Sequence, residues 1–124
     1  MPEYEISVER TGAKVATRAQ LADGPLTRMK GLLGRRSLDR GEALILRPCW
    51  SVHTWFMRFA LDVVFVDKTG RVLKIARRIG PWRFTAARGA ADAIEFQGGS
   101  LDSEDLAEGD RLLIAPATTT PDRA

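Results

Sequence analysis

The sequence predicts a mainly β protein: one small β-barrel or sandwich, jelly-roll-like, with one well-formed α-helix and room for a second short one. Three observations predict it. Roughly seven short apolar stretches recur at about 8–12 residue spacing, separated by turn residues, the pattern of a small barrel or sandwich. Only one stretch, near residues 25–36, carries apolar residues at helical spacing. The chain of 124 residues is a prior for one domain, and a chain of this size buries about 65% of its unfolded surface, enough for a core without staples.

The elements follow in order. Tyr4, Ile6 and Val8 alternate with Glu3, Glu5, Ser7 and Glu9, the period of a half-buried strand. Thr11-Gly12 is a turn signal, and residues 13–21 read as the returning strand. Asp23-Gly24-Pro25 opens the helix, with proline in the first turn where its missing N–H costs nothing. Leu26, Met29, Leu32 and Leu33 make its apolar face; Gly34 and the Arg35-Arg36 pair end it. Residues 43–46 form a short strand stopped by Pro48, and residues 61–67, LDVVFVD, are apolar on both parities and predict a strand buried on both sides. Asp67-Lys68-Thr69-Gly70 is a hairpin connection answered by residues 71–79. Further strands are expected over 91–96 and 111–115, with a short helix over 101–108 between them. The single domain is expected over 1–117, and the polar segment 118–124 as a disordered tail.

Composition narrows the function classes. A 44% hydrophobic and 28% charged chain is an ordinary globular one, neither collagen-like nor disordered. One cysteine, Cys49, closes no intrachain disulfide. No apolar run approaches the ~18 residues of a membrane span, and the start, MPEYEISVER, has charges where a signal peptide is apolar, so a cytoplasmic location without membrane partners is expected. The net charge of +3 is unevenly spread: residues 63–90 hold 7 basic and 1 acidic side chains, residues 91–124 hold 2 and 8. So small a total fits two mutually neutralising faces better than a nucleic-acid footprint.

Three stretches could carry chemistry. On the expected helix, Arg28, Gly31 and Arg35 share one stripe. Two guanidinium groups on one face can clamp a carboxylate or phosphate, or can pair with internal acids such as Asp62 or Glu95.

The second is residues 49–62, CWSVHTWFMRFALD, holding the only His, the only Cys and two of the three Trp. A Cys49–His53 nucleophilic dyad needs a folded-back turn, because in extended chain residues four apart stand about 13 Å from each other. Extended chain instead puts Cys49, Ser51, His53, Trp55 and Met57 on one side and Trp50, Val52, Thr54, Phe56 and Arg58 on the other. The first row suits a pocket wall or the interior of a barrel.

The third is residues 77–88, RRIGPWRFTAAR, where cations interleave with Trp82 and Phe84. Such a stretch can stack single-stranded nucleic acid, or can be a loop whose Trp caps the core edge. Without an RNP-like or KH-like motif, nucleic acid ranks low. No metal is expected, since one Cys and one His come without CxxC, HxxxH or HExxH spacing. GxxxxGK[ST], GxGxxG and GxSxG strings are absent, so nucleotide-fold and α/β-hydrolase readings drop out, and no cofactor is expected.

The chain resembles the domain-of-unknown-function family numbered 192. The marks are R-x-x-G-L-x-x-R (Arg28, Gly31, Leu32, Arg35), S-V-H-T-x-F-M-R-F-x-L-D from Ser51 to Asp62, the V-V-F-V-D strand, the turn at Gly70, Glu95 before Gly98, and Gly109-Asp110. The resemblance covers about residues 13–115. It implies a jelly-roll-like barrel with one helix, and no reaction. The chain is similar to the branch with His-Thr ahead of the aromatic, so the resemblance gives His53 no function shared by the whole family, which counts against it as a general catalyst.

The leading functional expectation is a domain that binds a small anionic molecule or a chain-end carboxylate, in a pocket between the Arg28/Arg35 helix and residues 51–62. Arg28 and Arg35 would supply charge. His53, Thr54 and Arg58 would orient the ligand, Trp55 and Phe56 or Met57 would form the apolar wall, Asp62 and Glu95 would hold the arginines, and Ser51 is a further ligand-binding candidate. One alternative is an enzyme using His53 with Asp62 or Glu95 as general acid and base. The other is an interaction module or weak RNA binder acting through residues 77–88.

Overall fold

The computed structural model describes residues 2–24, 37–55 and 57–117. Nine strands form: β1 (Tyr4–Val8), β2 (Lys14–Ala22), β3 (Glu42–Leu46), β4 (Ser51–His53), β5 (Leu61–Val66), β6 (Val72–Ile79), β7 (Phe84–Ala86), β8 (Asp92–Gln97) and β9 (Leu112–Pro116). Seven of them make one sheet in the order β6-β5-β8-β3-β2-β1-β9, and β4 and β7 pair separately. Every pairing is antiparallel except β2 with β3.

The sheet curls into a half-barrel whose two edge strands meet at one end. Arg71 and Arg111, just ahead of β6 and β9, form an antiparallel bridge. Val72 donates to the Asp110 carbonyl at 2.7 Å, and Leu112 donates to the Gly70 carbonyl at 2.8 Å. The hairpin turn ahead of β6 makes that approach possible. Asp67 Oδ1 accepts from the Thr69 amide at 2.8 Å, from its hydroxyl at 2.6 Å and from the Arg71 amide at 3.1 Å. Those bonds hold the Asp67 carboxyl below its ordinary pKa. Gly70 sits at φ +91°, and a Cβ there would stand 2.5 Å from the Leu112 carbonyl oxygen. Only glycine fits both demands.

The middle of the sheet is apolar on both faces. On the concave face Val64 and Val66 of β5 pack with Ile45, Ile94, Phe96, Ile6, Val8, Leu101 and Leu112. On the convex face Leu61, Val63 and Phe65 pack with Leu38, Leu44, Leu46, Ala93, Val52 and Ala87. All six residues of β5 are buried, as the two-sided apolar run predicts. The pair β4–β7 lies over the convex side, contributing Val52 to that second core.

The expectation of a β domain with a well-formed α-helix is corrected. Among the described residues there is no α-helix, and the one helical element is a 3-10 turn, Ser100–Ser103. The stretch expected to be the main helix, with Arg28, Gly31 and Arg35, lies outside the described residues. The second helix, expected over 101–108, stops after one turn because Glu104 is already extended (φ −98°, ψ 140°). Asp, Ser and Asp at 102, 103 and 105 favour turns over helix, and burying both Leu101 and Leu106 in the concave core fits a folded-back loop. Among the described residues no helix is long and apolar enough to cross a membrane.

Gly70→Ala is expected to cost about 2–3 kcal/mol, from the left-handed backbone and the clash with Leu112, and to lower the urea midpoint. Gly12→Ala, whose Cβ would meet nothing within 4 Å although its φ is also positive, is expected to cost less.

Candidate functional site

Parts of the two stretches singled out, residues 51–55 and 82–86, meet on one lobe, the β4–β7 pair and its turns. Ser51 is opposite Ala86, Val52 opposite Thr85 and His53 opposite Phe84. Val52 and Thr85 are buried, so the pleat turns His53 and Phe84 outward together. His53 stacks on Trp55 with ring centroids 4.8 Å apart and planes 21° from parallel, and lies 5.8 Å from the Phe84 ring. Trp50, Trp55, Trp82 and Phe84 are 59%, 52%, 59% and 58% exposed. Together they are all but one of the large hydrophobic side chains exposed among the described residues; Leu113 on β9 is the other.

Thr54 holds this lobe in shape. Fully buried, it donates its hydroxyl to the Gly80 carbonyl and accepts the Arg83 amide at 2.9 Å. Its own amide donates to the Arg83 carbonyl at 2.9 Å, and its carbonyl accepts from Met57 and Trp82, both at 3.1 Å. One residue thus ties the turn after β4 to the turn before β7. Trp82 at that tip adopts φ +63°, a left-handed backbone that costs a non-glycine residue of order 1–3 kcal/mol.

Charge on the lobe has one sign. Residues 48–60 and 80–91 contain Arg58, Arg83 and Arg88 and no Asp or Glu. All three arginines are exposed, and none of them forms an ion pair among the described residues. Arg77 and Arg78, also in the basic stretch, are instead tied to Asp102.

The expected extended ribbon over 49–57 is only partly realised. It runs for Ser51–His53 alone; the chain then turns, with the Met57 amide on the Thr54 carbonyl, and Met57 packs into the convex core. Ser51 is half-buried, and its carbonyl accepts the Cys49 thiol at 3.0 Å. No Cys49–His53 dyad forms. His53 has neither a carboxylate nor a thiol within hydrogen-bond reach among the described residues, so nothing there orients it as a base.

Asp62 and Glu95 part company. Asp62 lies opposite Phe96 and Glu95 opposite Val63, so adjacent pleats send them to opposite faces of the sheet. Asp62 faces the concave side and accepts three backbone amides: Arg78 at 2.8 Å, Gly99 at 3.0 Å and Leu101 at 3.1 Å. It anchors the 3-10 turn and the bulge at Arg78. Glu95, on the convex face beside Ala93, is buried with no hydrogen bond or ion pair among the described residues, and burial pushes its carboxyl up to about 7. The two acids cannot hold one pair of arginines or serve one imidazole. Arg28 and Arg35 lie outside the described residues.

Cavities lined by described residues open elsewhere. One is bounded by Lys14, Thr17, Arg40, Ser100 and Glu104, another by Arg47, Lys68, Thr69 and Asp92. Neither includes a residue of 51–62. Trp50 is the lobe residue that sequence reasoning missed; the absence of acids across 48–60 and 80–91 was the available signal.

These features define a curled-sheet β protein with an aromatic, arginine-bearing lobe on its convex side. Residues 6–114 match the DUF192 family, described as "Uncharacterized ACR, COG1430", and the chain belongs to that family. It is similar to a UPF0127 protein of Thermococcus sibiricus, 32% identical over 111 residues, spanning 85% of this chain and 71% of that one. A UPF0127 protein of Pyrococcus furiosus is 30% identical over 107 residues, spanning 82% and 90%. A solved protein of unknown function from Novosphingobium aromaticivorans superposes with TM-score 0.78 at 25% identity, covering 88% of this chain and 83% of that chain. A Sinorhizobium meliloti protein, provisionally described as a transcription regulator, superposes with TM-score 0.79 at 20% identity, covering 90% and 94%, and shows the fold alone.

Two substitutions on opposite faces of the sheet are expected to act in opposite directions. Asp62→Ala leaves three backbone amides without their acceptor and is expected to cost about 3 kcal/mol in denaturant unfolding. For Glu95, the folded pKa of about 7 lies above the ordinary 4.5. The folded state therefore holds the proton longer, and stability falls as pH rises from 4.5 to 7. Glu95→Gln removes that loss. The variant is expected to match the parent near pH 4 and to exceed it by up to about 3 kcal/mol at pH 8, measured as the difference between the two pH profiles.

Proposed function

We propose that this protein is a binding domain that takes an anionic ligand on the β4–β7 lobe. The observation that carries the reading is that four exposed aromatic rings and three exposed arginines come from the two stretches that build the lobe, residues 48–60 and 80–91, which contain no acidic residue. Exposed apolar area of this kind is rarely kept on a soluble protein without a use. Aromatic side chains offer rigid contact area at low entropic cost, and exposed guanidinium groups without internal acids offer bidentate donors to phosphate or carboxylate.

The lobe retains the anionic ligand expected from the sequence and replaces the enclosing pocket with an open surface. Of the expected binding residues, His53, Trp55 and Arg58 face solvent on it. Thr54 positions it from beneath. Ser51 and Met57 support it, while Asp62 and Glu95 belong to the sheet. The enzyme reading has no comparable support, because among the described residues no carboxylate or thiol stands within hydrogen-bond reach of His53.

The reading is tested with inorganic polyphosphate, a probe that carries charge and no rings. Polyphosphate is expected to bind the full chain at low salt. The double variant Arg83→Glu/Arg88→Glu is expected to lose at least about tenfold in affinity while its melting temperature stays put, since both side chains are exposed. Equal affinity of parent and variant would overturn the reading.

A further inference from the structure

We infer that the anion taken by this lobe is single-stranded nucleic acid, its bases stacked on the His53–Trp55–Phe84 rings and its phosphates set against Arg58, Arg83 and Arg88. The inference rests on the anion-binding reading of the same lobe and names the ligand class.

Ring chemistry separates the candidates. Every nucleobase has a π face, so a row of aromatic side chains with cations beside it binds single strands with little regard to sequence. His53 and Phe84 stand side by side on the outer face of a two-stranded ribbon, and Trp55 continues the row by stacking on His53. Rings carried on a strand pair are a known way for a sheet to take up unpaired bases. A duplex hides its base faces, and indole and phenyl rings bring few groups with which to read base edges in a groove.

A lipid surface fits the same charges less well. The large apolar side chains exposed on the lobe are all aromatic; Leu113, the one exposed aliphatic among those described, is on β9. Membrane-seeking faces combine aromatic with aliphatic side chains. Here an imidazole sits amid the rings, and sinking it into hydrocarbon would strip water from nitrogens that have no protein partner among the described residues. The lobe is also shaped in advance. The Thr54 bonds and the left-handed Trp82 hold the two turns together without a ligand, which lowers the ordering cost of binding.

The three tryptophans of the chain, Trp50, Trp55 and Trp82, are all on this lobe, so tryptophan emission, excited selectively over Tyr4, reports on it alone. A short oligouridylate is expected to quench that emission saturably, and a duplex of equal length to compete poorly. The slope of log affinity against log salt is expected near −2, as for about three phosphate contacts on a single strand. Trp55→Ala and Phe84→Ala should each weaken binding about 5- to 100-fold with unchanged melting temperature, the remaining tryptophans serving as reporters.

If polyphosphate binds as tightly as oligouridylate and the oligonucleotide leaves the emission unquenched, the anion-binding reading stands and this inference falls. If neither binds, both fall. Binding to phosphatidylglycerol vesicles with a blue shift, without oligouridylate binding, overturns it in favour of a lipid surface. A dimer in sedimentation whose contact buries the tryptophans, together with failure to bind oligouridylate, overturns it in favour of a second copy of this chain.

Discussion

Strand β5 has water on neither side, and the rest of the molecule is arranged around that constraint. A sheet with apolar side chains on both faces needs two covers. The curl supplies one, folding β1, β2 and β9 over the concave side until the edges of β6 and β9 meet. Val52, Ala87 and Leu38 supply part of the other. Each fully buried Val, Leu or Phe contributes roughly 1.5–3 kcal/mol, so the middle strands β5, β8 and β3 dominate the driving force for the fold. Asp62 is the one charged side chain β5 carries, and it is tolerated because three backbone amides replace the water it lost.

The lobe follows from the second cover. To lay Val52 and Ala87 on the convex face, the β4–β7 ribbon must turn its other face outward. A cover needs nothing aromatic on that side, yet His53 and Phe84 stand there, with Trp55 beside them. Their exposure adds nothing to the core and exacts a hydration penalty, which is why the functional reading is located here. Glu95 is a second local compromise. It is a carboxyl buried without a described partner on the same convex face, and burial, which disfavours its charged form, raises its pKa.

Local signals in the sequence carried far where period and turn chemistry agree. The apolar run at 61–66 became β5, the Asp67–Gly70 turn joined β5 to β6, and the alternation at 4–8 became β1. Signals failed where one property had two meanings. Residues 101–108, bounded by Gly109, read as a short helix, but Leu101 and Leu106 are buried from a single 3-10 turn and an extended stretch. Residues 49–57 look uniformly extended, but Thr54 is captured by the distant Gly80 and Arg83 and bends the chain. Asp62 and Glu95 look like interchangeable acids until pairing register sends them to opposite faces.

The sequence by itself determined the membership in a family, the β class and the two-sided strand, because composition and period are properties of consecutive residues. It also determined that cations and aromatic rings interleave without acids across 80–88. Only the tertiary structure decided that His53 and Trp55 would meet Phe84 and that Asp62 would anchor a turn. Register between strands some thirty residues apart depends on the closure of a whole sheet around its core, and no local stretch of chain encodes that.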